Sequence, residues 1–284
     1  MSGTLARRRA QLRSIMPALR AARFGLAVVV VIVMGVIAVR YVPFETLTWW
    51  RLVPALVAAG VWWVLLARGW SLLVSGRTTR ADLSRWCQTQ VLRYLPGGIW
   101  APTSRVLLVD GTPFDRVATV LAENVVSLCA ALALGGAALA VSGRPAWAAA
   151  VLAAIVPVAA ARFGAKRTRL DGPRVVRATA NGLVAFVCYM TCAILVQAAV
   201  SGLHRPVLVA GAAGISWAAG LVVVFSPGGL GVRELAYAGL LASDFGHEDL
   251  AAAAVVMRAV TIAAELVILL AAGRPTPHAD AKNS

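Results

Sequence analysis

Long stretches without a charged residue are the feature that most constrains the fold of this chain. In lipid, every backbone N–H and C=O must be bonded within the protein, so a segment of roughly 20 apolar residues crosses the bilayer as a helix. Only 14% of the residues are charged, against about 25% in soluble domains. We therefore predict an all-α, polytopic helical membrane bundle of about 7–8 spans. The apolar stretches are 24–39, 52–67, 124–143, 145–161, 178–203, 206–232 and 250–272.

Two Pro-Gly-Gly turns interrupt this pattern, at Pro96-Gly97-Gly98 and at Pro227-Gly228-Gly229. Proline removes a backbone donor and breaks a helix, and paired glycines permit conformations that other residues resist. Irregular backbone survives at membrane depth only where protein or enclosed water covers it, and in transporters it marks the binding site. We predict two broken or re-entrant elements beside a cavity. A surface loop after a helix-ending proline is the alternative for the first turn.

The helix that leads into the first turn has its own pattern. Leu83 and Cys87 begin an apolar stripe at helical spacing, while Arg85 and Arg93 take the other side. Such a pattern is typical of an amphipathic helix that lies at the membrane interface. We therefore predict an interfacial helix before the first Pro-Gly-Gly turn.

Basic residues predict the orientation of the chain. Arginines cluster before the first apolar stretch and again within 162–177. The positive-inside rule places both clusters in the cytoplasm and puts Glu45 and His204 on the opposite side. No nucleic-acid motif accompanies these clusters, so we expect no nucleic-acid partner, whereas attraction to anionic lipid headgroups is compatible with them. The predicted parts of this plasma-membrane protein are a basic cytoplasmic arm (1–19), a transmembrane domain (20–273) and a polar tail (274–284).

Ionisable residues within the apolar stretches indicate a functional site. Arg258 and Glu265 are seven residues apart and share one helix face, and each disfavours insertion by roughly 2.5–3.5 kcal/mol. They line a substrate path or form buried ion pairs, for example Glu265 with Arg233 or with Arg105, and both interpretations can hold together. The candidate substrate-binding residues are Pro96, Gly97, Gly98, Arg105, Glu123, Pro227, Gly228, Gly229, Arg233, Glu234, Arg258 and Glu265.

The two halves of the chain resemble each other. Each has a Pro-Gly-Gly turn, then an arginine (Arg105 or Arg233), then a span that carries a glutamate (Glu123 or Glu265). Many transporters build their binding site from internal repeats, and this sequence leaves open whether the repeats are parallel or inverted. The cysteines and histidines form no ligand cluster, so we expect no metal, no disulfide and no cofactor.

These motifs together resemble a known family. Tyr94-Leu95-Pro96-Gly97-Gly98-Ile99-Trp100 and Ser226-Pro227-Gly228-Gly229-Leu230-Gly231-Val232-Arg233-Glu234, with Arg105, Glu123, Arg258 and Glu265, resemble the lysylphosphatidylglycerol synthase transmembrane region, also called the flippase-like domain family. The resemblance covers roughly 20–272. It implies a helical membrane domain with re-entrant elements that is linked to moving aminoacylated phospholipids or polyprenyl-linked lipids between leaflets. No aminoacyl-transfer domain is present in this sequence, so we do not expect lysyl transfer.

The favoured function is therefore lipid translocation. Arg105, Arg233 and Arg258 would contact a phosphate, and nearby glutamates would balance charge or bind a cationic headgroup. The partner is a membrane lipid, anionic or isoprenoid-linked. No ATP-binding motif occurs, so transport would be passive, ion-coupled or powered by a partner. The alternatives are a non-transporting partner of an envelope-lipid enzyme and a lipid-modifying enzyme that uses Glu123, Glu234 or Glu265 as acid or base. The oligomeric state is left open.

Overall fold

A computed structural model describes residues 36, 42, 44–94, 100–164, 170–223 and 227–272. Within these ranges the chain is helical and contains no strand, which confirms the all-α prediction for them. The basic arm 1–19, most of the predicted span 24–39, Pro96-Gly97-Gly98 and the tail 274–284 lie outside the described residues. The α-helices are α1 (Leu52–Ser75), α2 (Arg80–Gln90), α3 (Trp100–Val106), α4 (Pro113–Val141), α5 (Val156–Gly164), α6 (Gly172–Ser201), α7 (Pro206–Val222), α8 (Val232–Leu241) and α9 (His247–Ala271).

Four helical segments in the described ranges are long and apolar enough to cross a membrane. They are Trp49–Ser75, which joins a 3₁₀ turn to α1, together with α4, α6 and α9. Two other predicted spans coincide with shorter apolar helices: Pro145–Ala160 covers nearly all of 145–161, whereas Pro206–Val222 ends well before the predicted limit at 232. The first of these begins as a 3₁₀ helix at Pro145–Ile155, and the second ends before the Pro-Gly-Gly turn. These apolar helices are compatible with an integral membrane protein, and the number of spans stays a prediction.

The helix ends follow local sequence signals. Thr112 caps α4: its side chain accepts a hydrogen bond from the Asp115 backbone N–H, and the Asp115 carboxylate accepts one from the Thr112 backbone N–H. This reciprocal arrangement satisfies two amide donors that the first turn of a helix otherwise leaves unpaired. At the other boundary, Gly76 ends α1 with a φ of 69°, in the left-handed region that glycine adopts without strain.

Glycines bring α4 and α7 close together. A Cβ atom on Gly211 would lie 2.7 Å from Leu139 Cγ, and one on Gly214 would lie 3.0 Å from the Ala131 carbonyl oxygen. A larger side chain at either position would force the two helices apart. Because these helices run in opposite directions, the C-terminal end of α7 lies beside the N-terminal half of α4. There they border a cavity rather than pack directly.

Two helical hairpins enter the bundle from opposite ends, and their tips meet. Helices α7 and α8 form one hairpin, whose two ends are joined by an ion pair between Arg205 and Asp244. Helices α2 and α3 form the other, which starts beside the end of α1, where Asp82 accepts hydrogen bonds from the Ser71 and Ser75 hydroxyls. The turn Val91–Tyr94 of this hairpin contacts the turn Pro227–Gly229 of the other. The two hairpins are therefore inverted with respect to each other.

Helix α2, in the α2–α3 hairpin, differs from the interfacial helix that is predicted before the first Pro-Gly-Gly turn. Besides Trp86 and Cys87, helix α2 buries the polar residues Asp82, Thr89 and Gln90. An interfacial helix would expose these polar groups to headgroups or water. Here these polar side chains lie inside the protein, on the side of α2 that packs against α1 and contacts α9.

Candidate functional site

A cavity of about 550 Å³, which we call the main cavity, lies where the hairpin tips meet. Its lining includes Arg105 from α3, Glu123 from α4, Gly228 and Gly229 from the second turn, and Arg233 from α8. A side pocket of about 50 Å³ is lined by Tyr189, Glu234, Tyr237 and Arg258, among others. The main cavity has the volume of a small-molecule site, which is typically about 300–1,000 Å³. The two spaces adjoin because Trp62, Trp63, Arg93 and Arg233 line both.

The rim of the main cavity is apolar. Leu121 of α4 and Val222 and Val223 of α7 line it, and all three are also exposed on the outer surface of the protein. They lie in the N-terminal half of α4 and at the C-terminal end of α7, beyond the close approach of these two helices at Gly211 and Gly214. The cavity therefore joins a charged interior to an apolar flank, an arrangement suited to an amphipathic ligand.

Arg105 and Glu123 form a buried ion pair across the main cavity wall. Arg105 Nη1 lies 2.5 Å from Glu123 Oε1, which also accepts a hydrogen bond of 2.6 Å from the Trp86 indole. The Arg105 Nε–H donates to the Thr89 hydroxyl at 3.1 Å, and its guanidinium lies 5.0 Å from the Trp86 ring centroid. Helices α2, α3 and α4 are thereby held together by one network of charge and hydrogen bonds.

Glu265 pairs with a residue that the sequence analysis did not select. Its Oε2 atom lies 2.6 Å from Arg93 Nη2, and the Arg93 guanidinium lies 4.4 Å from the Trp63 ring centroid. The suggested partners Arg233 and Arg105 were therefore wrong. Helix α2 ends at Gln90, and Arg93 lies in the 3₁₀ turn that follows, where three residues per turn replace the α-helical spacing. Helical spacing extended from α2 consequently misplaced this side chain.

A thiol lies near the same carboxylate. The buried Cys87 side chain lines a small pocket together with Glu265, Trp63 and Trp86.

Arg258 and Glu234 form a third ion pair. Arg258 Nη2 lies 3.0 Å from Glu234 Oε1, and Arg258 Nη1 donates a 3.2 Å hydrogen bond to the Gly228 carbonyl oxygen. The pair therefore ties α9 to α8 and to the backbone of the second Pro-Gly-Gly turn. A carbonyl freed by the break in the helix accepts a charged donor, which removes part of the cost of irregular backbone in an apolar environment.

Arg233 has no carboxylate partner among the described residues. Its guanidinium lies 5.2 Å from the Trp217 ring centroid, and its buried Nε atom has no hydrogen-bond partner in the same ranges. Gly220 and Gly229 make room for it, since a Cβ atom on either would lie 2.5 Å or 2.7 Å from Arg233 Nε, respectively. The second Pro-Gly-Gly turn thus supplies space for a charged side chain.

The predicted site residues therefore divide into groups. Five of them line the main cavity, and Arg233 joins Glu234 and Arg258 at the side pocket. Glu265 lines neither space and reaches them through Arg93. Pro96, Gly97 and Gly98 lie outside the described residues, and Pro227 begins the 3₁₀ turn at the second motif. A substrate-binding role for all of these residues stays a prediction. The five that line the main cavity are Arg105, Glu123, Gly228, Gly229 and Arg233.

Tryptophans are candidate site residues that the sequence analysis did not select. Trp62, Trp63 and Trp217 belong to the buried core, and with Trp86 they also line the main cavity. A cation over an aromatic ring gains about 0.5–2 kcal/mol, more where water is excluded. The only sequence signal was their number, since nine tryptophans are present. Each of the three arginines that line the main cavity lies over a tryptophan ring: Arg93 over Trp63, Arg105 over Trp86 and Arg233 over Trp217.

The described ranges contain no group of three or more His, Cys, Asp or Glu side chains that could hold a metal ion. Comparison of the chain with protein-family models, with curated proteins and with solved structures finds no match.

Proposed function

We propose that this membrane protein is a lipid translocase of the flippase-like type, which receives an anionic phospholipid or polyprenyl-linked headgroup in the main cavity. The observation that carries the proposal is Arg233, a cavity-lining arginine without a carboxylate partner among the described residues. A charged side chain at membrane depth costs at least about 2.5–3.5 kcal/mol. A phosphate in the cavity would offset that cost through paired N–H···O bonds.

The apolar rim supports a lipid over a soluble anion. Leu121 and Val222 connect the cavity to the outer surface between α4 and α7. A lipid could place its headgroup against Arg233 while its hydrocarbon chains stay in the bilayer. A soluble anion would gain nothing from this apolar flank.

The inverted hairpins support movement between leaflets. Transporters with inverted repeats hold their substrate near the bilayer midplane, between broken helices from the two halves. The contact between Val91–Tyr94 and Pro227–Gly229 is the corresponding position here. We propose that both hairpins are re-entrant, that the headgroup passes between their tips, and that the protein lies in the plasma membrane with a cytoplasmic N-terminus.

Reconstitution into liposomes tests the proposal. Vesicles would carry tail-labelled lipids, and a membrane-impermeant quencher would report the labelled headgroups that reach the outer leaflet. We expect faster exchange of anionic lipids than in protein-free vesicles, with every lipid recovered unchanged by mass spectrometry. A chemically altered lipid would indicate the enzyme alternative. Neither exchange nor alteration would reject the proposal in favour of a non-transporting partner of an envelope-lipid enzyme.

A matched pair of variants connects the activity to the site. Arg233→Lys keeps the charge but loses the planar fork that binds two phosphate oxygens, so exchange should fall while the protein remains folded. Arg177→Lys makes the same change at an exposed position near the start of α6 and should leave exchange unaltered. Undiminished exchange in a folded Arg233→Lys protein would remove Arg233 from the mechanism.

A further inference from the structure

We infer that the headgroup bound at Arg233 is a monoanion, a phosphodiester with a single negative charge. This inference rests on the proposed function and narrows its substrate class. It excludes phosphomonoester and pyrophosphate dianions, and it excludes headgroups whose own cation cancels the phosphate charge.

The charges at the site support this assignment. The walls of the main cavity and side pocket carry four arginines, Arg93, Arg105, Arg233 and Arg258, and two glutamates, Glu123 and Glu234. Glu265 adds a third carboxylate through its ion pair with Arg93. Among the described residues that line the two spaces or pair with their lining, one positive charge is therefore in excess, and it belongs to Arg233.

Further contacts hold the three ion pairs in place, so their side chains are less free than Arg233 to bind a ligand. Glu123 is held by Trp86 as well as by Arg105, and Arg258 is held by the Gly228 carbonyl as well as by Glu234. Breaking such a pair leaves a buried charge unbalanced, which is strongly unfavourable. Binding is therefore most favourable for a ligand that neutralises the charge of Arg233 and leaves the three ion pairs intact.

A monoanion satisfies that condition. A dianion at Arg233 would leave one excess negative charge among the described groups that line the two spaces. A zwitterionic headgroup would bring its own cation and leave the site positive by one. Arg233 lies between the Trp217 ring and two glycines, so its edge is the part left for one phosphate group, in the two-bond geometry that arginine favours.

A lipid series with the native protein tests the inference. Phosphatidylglycerol is a monoanion throughout the range, whereas phosphatidic acid gains a second charge as pH rises past its second ionisation, about 6 for a phosphomonoester. We expect phosphatidic acid to exchange about tenfold or more slower than phosphatidylglycerol at pH 8 and to approach it at pH 5. Phosphatidylglycerol measured at both pH values corrects for changes in the protein, and phosphatidylcholine should exchange more slowly than phosphatidylglycerol at both.

A charge change in the protein should reverse the preference. Glu234→Gln leaves Arg258 unbalanced and raises the excess to two, so phosphatidic acid should gain on phosphatidylglycerol at pH 8. Glu123→Gln has the same effect through a different pair and replaces the first variant if that one does not fold. Glu248→Gln removes an exposed carboxylate at the start of α9 and should leave the preference unaltered.

The outcomes separate the two levels of the argument. Equal exchange of phosphatidic acid and phosphatidylglycerol at pH 8 would overturn the monoanion assignment and leave lipid translocation standing. No exchange of any lipid would overturn the proposed function and the inference with it. Glycerophosphoglycerol, the same phosphodiester without acyl chains, should compete weakly. Competition as strong as that of the lipid would support the phosphodiester but reject a lipid as its source.

Discussion

Arg93 Nη2 lies 2.6 Å from Glu265 Oε2, so the turn before the first Pro-Gly-Gly motif is bound to the last helix of the bundle. Both side chains are largely buried, and Trp63 covers the arginine. The contact joins the two halves of the chain and holds the tip of the α2–α3 hairpin in place. Each of the two buried charges is therefore balanced by the other.

The first prediction concerns this pair. Arg93→Gln and Glu265→Gln should each lower the free energy of unfolding by about 3–5 kcal/mol, because each leaves a buried charge without its partner. The double variant Arg93→Met with Glu265→Leu should recover much of that loss. Thermal unfolding of the detergent-solubilised protein measures all of them. Asp171 and Arg174 form a partly exposed pair at the start of α6, so Arg174→Gln should cost less than about 1 kcal/mol. Equal losses at both pairs would contradict the buried-pair interpretation.

The second prediction concerns the space for Arg233. In Gly220→Ala the new methyl group would fall 2.5 Å from Arg233 Nε, so the guanidinium must move away from the cavity wall. Anionic lipid exchange should fall at least as far as in Arg233→Lys. Gly60→Ala is the matched control, because a Cβ atom there meets nothing within 4 Å. An active Gly220→Ala protein would show that the position of Arg233 is not required.

The third prediction concerns the ring behind Arg233. Trp217→Leu removes the aromatic face at 5.2 Å and should weaken binding of the anionic lipid by about 0.5–2 kcal/mol. Trp217→Phe keeps an aromatic ring and should lose less. Titration of the solubilised protein with phosphatidylglycerol measures both. If the leucine and phenylalanine variants bind equally well, the ring serves packing alone.

The fourth prediction concerns orientation. In a cysteine-free background, a cysteine at Glu45 or His204 should react with an impermeant maleimide from outside intact cells, and one at Arg177 should not. In the otherwise native protein, Cys87 should react slowly even in detergent at pH 7, because its thiol is buried. Labelling of position 177 but not of position 45 would reverse the predicted topology.

The sequence allowed the coarse architecture to be predicted because lipid imposes strict rules on it. Apolar length located α1, α4, α6 and α9, and the Pro-Gly-Gly turn located the break between α7 and α8. Arg258 and Glu265 were expected to be shielded, and both are buried. In each case the inference needed only the local cost of placing a group in hydrocarbon.

The partners within the site could not be predicted in the same way. Cost in lipid identifies which residues need shielding, but it does not say which of them face each other. Glu265 was assigned to Arg233 or Arg105, while its partner is Arg93, which lies 172 positions away along the chain. That choice depends on the switch from α-helical to 3₁₀ spacing after Gln90 and on where the two hairpin tips meet. Both are set by tertiary packing.

The long-range ion pair also affects how the protein is made. Arg105 meets Glu123 only 18 residues later, so that pair can form soon after α4 is synthesised. Arg93 must wait for 172 further residues, on the order of 10 to 30 s at usual translation rates. During that time its charge needs temporary shelter from the insertion machinery or from lipid headgroups. We expect a chain truncated before α9 to cross-link to the translocon longer than full-length protein does, and Arg93→Leu to abolish the difference. The Arg93–Glu265 pair, which stabilises the finished bundle, is thus expected to delay the release of the growing chain from the translocon.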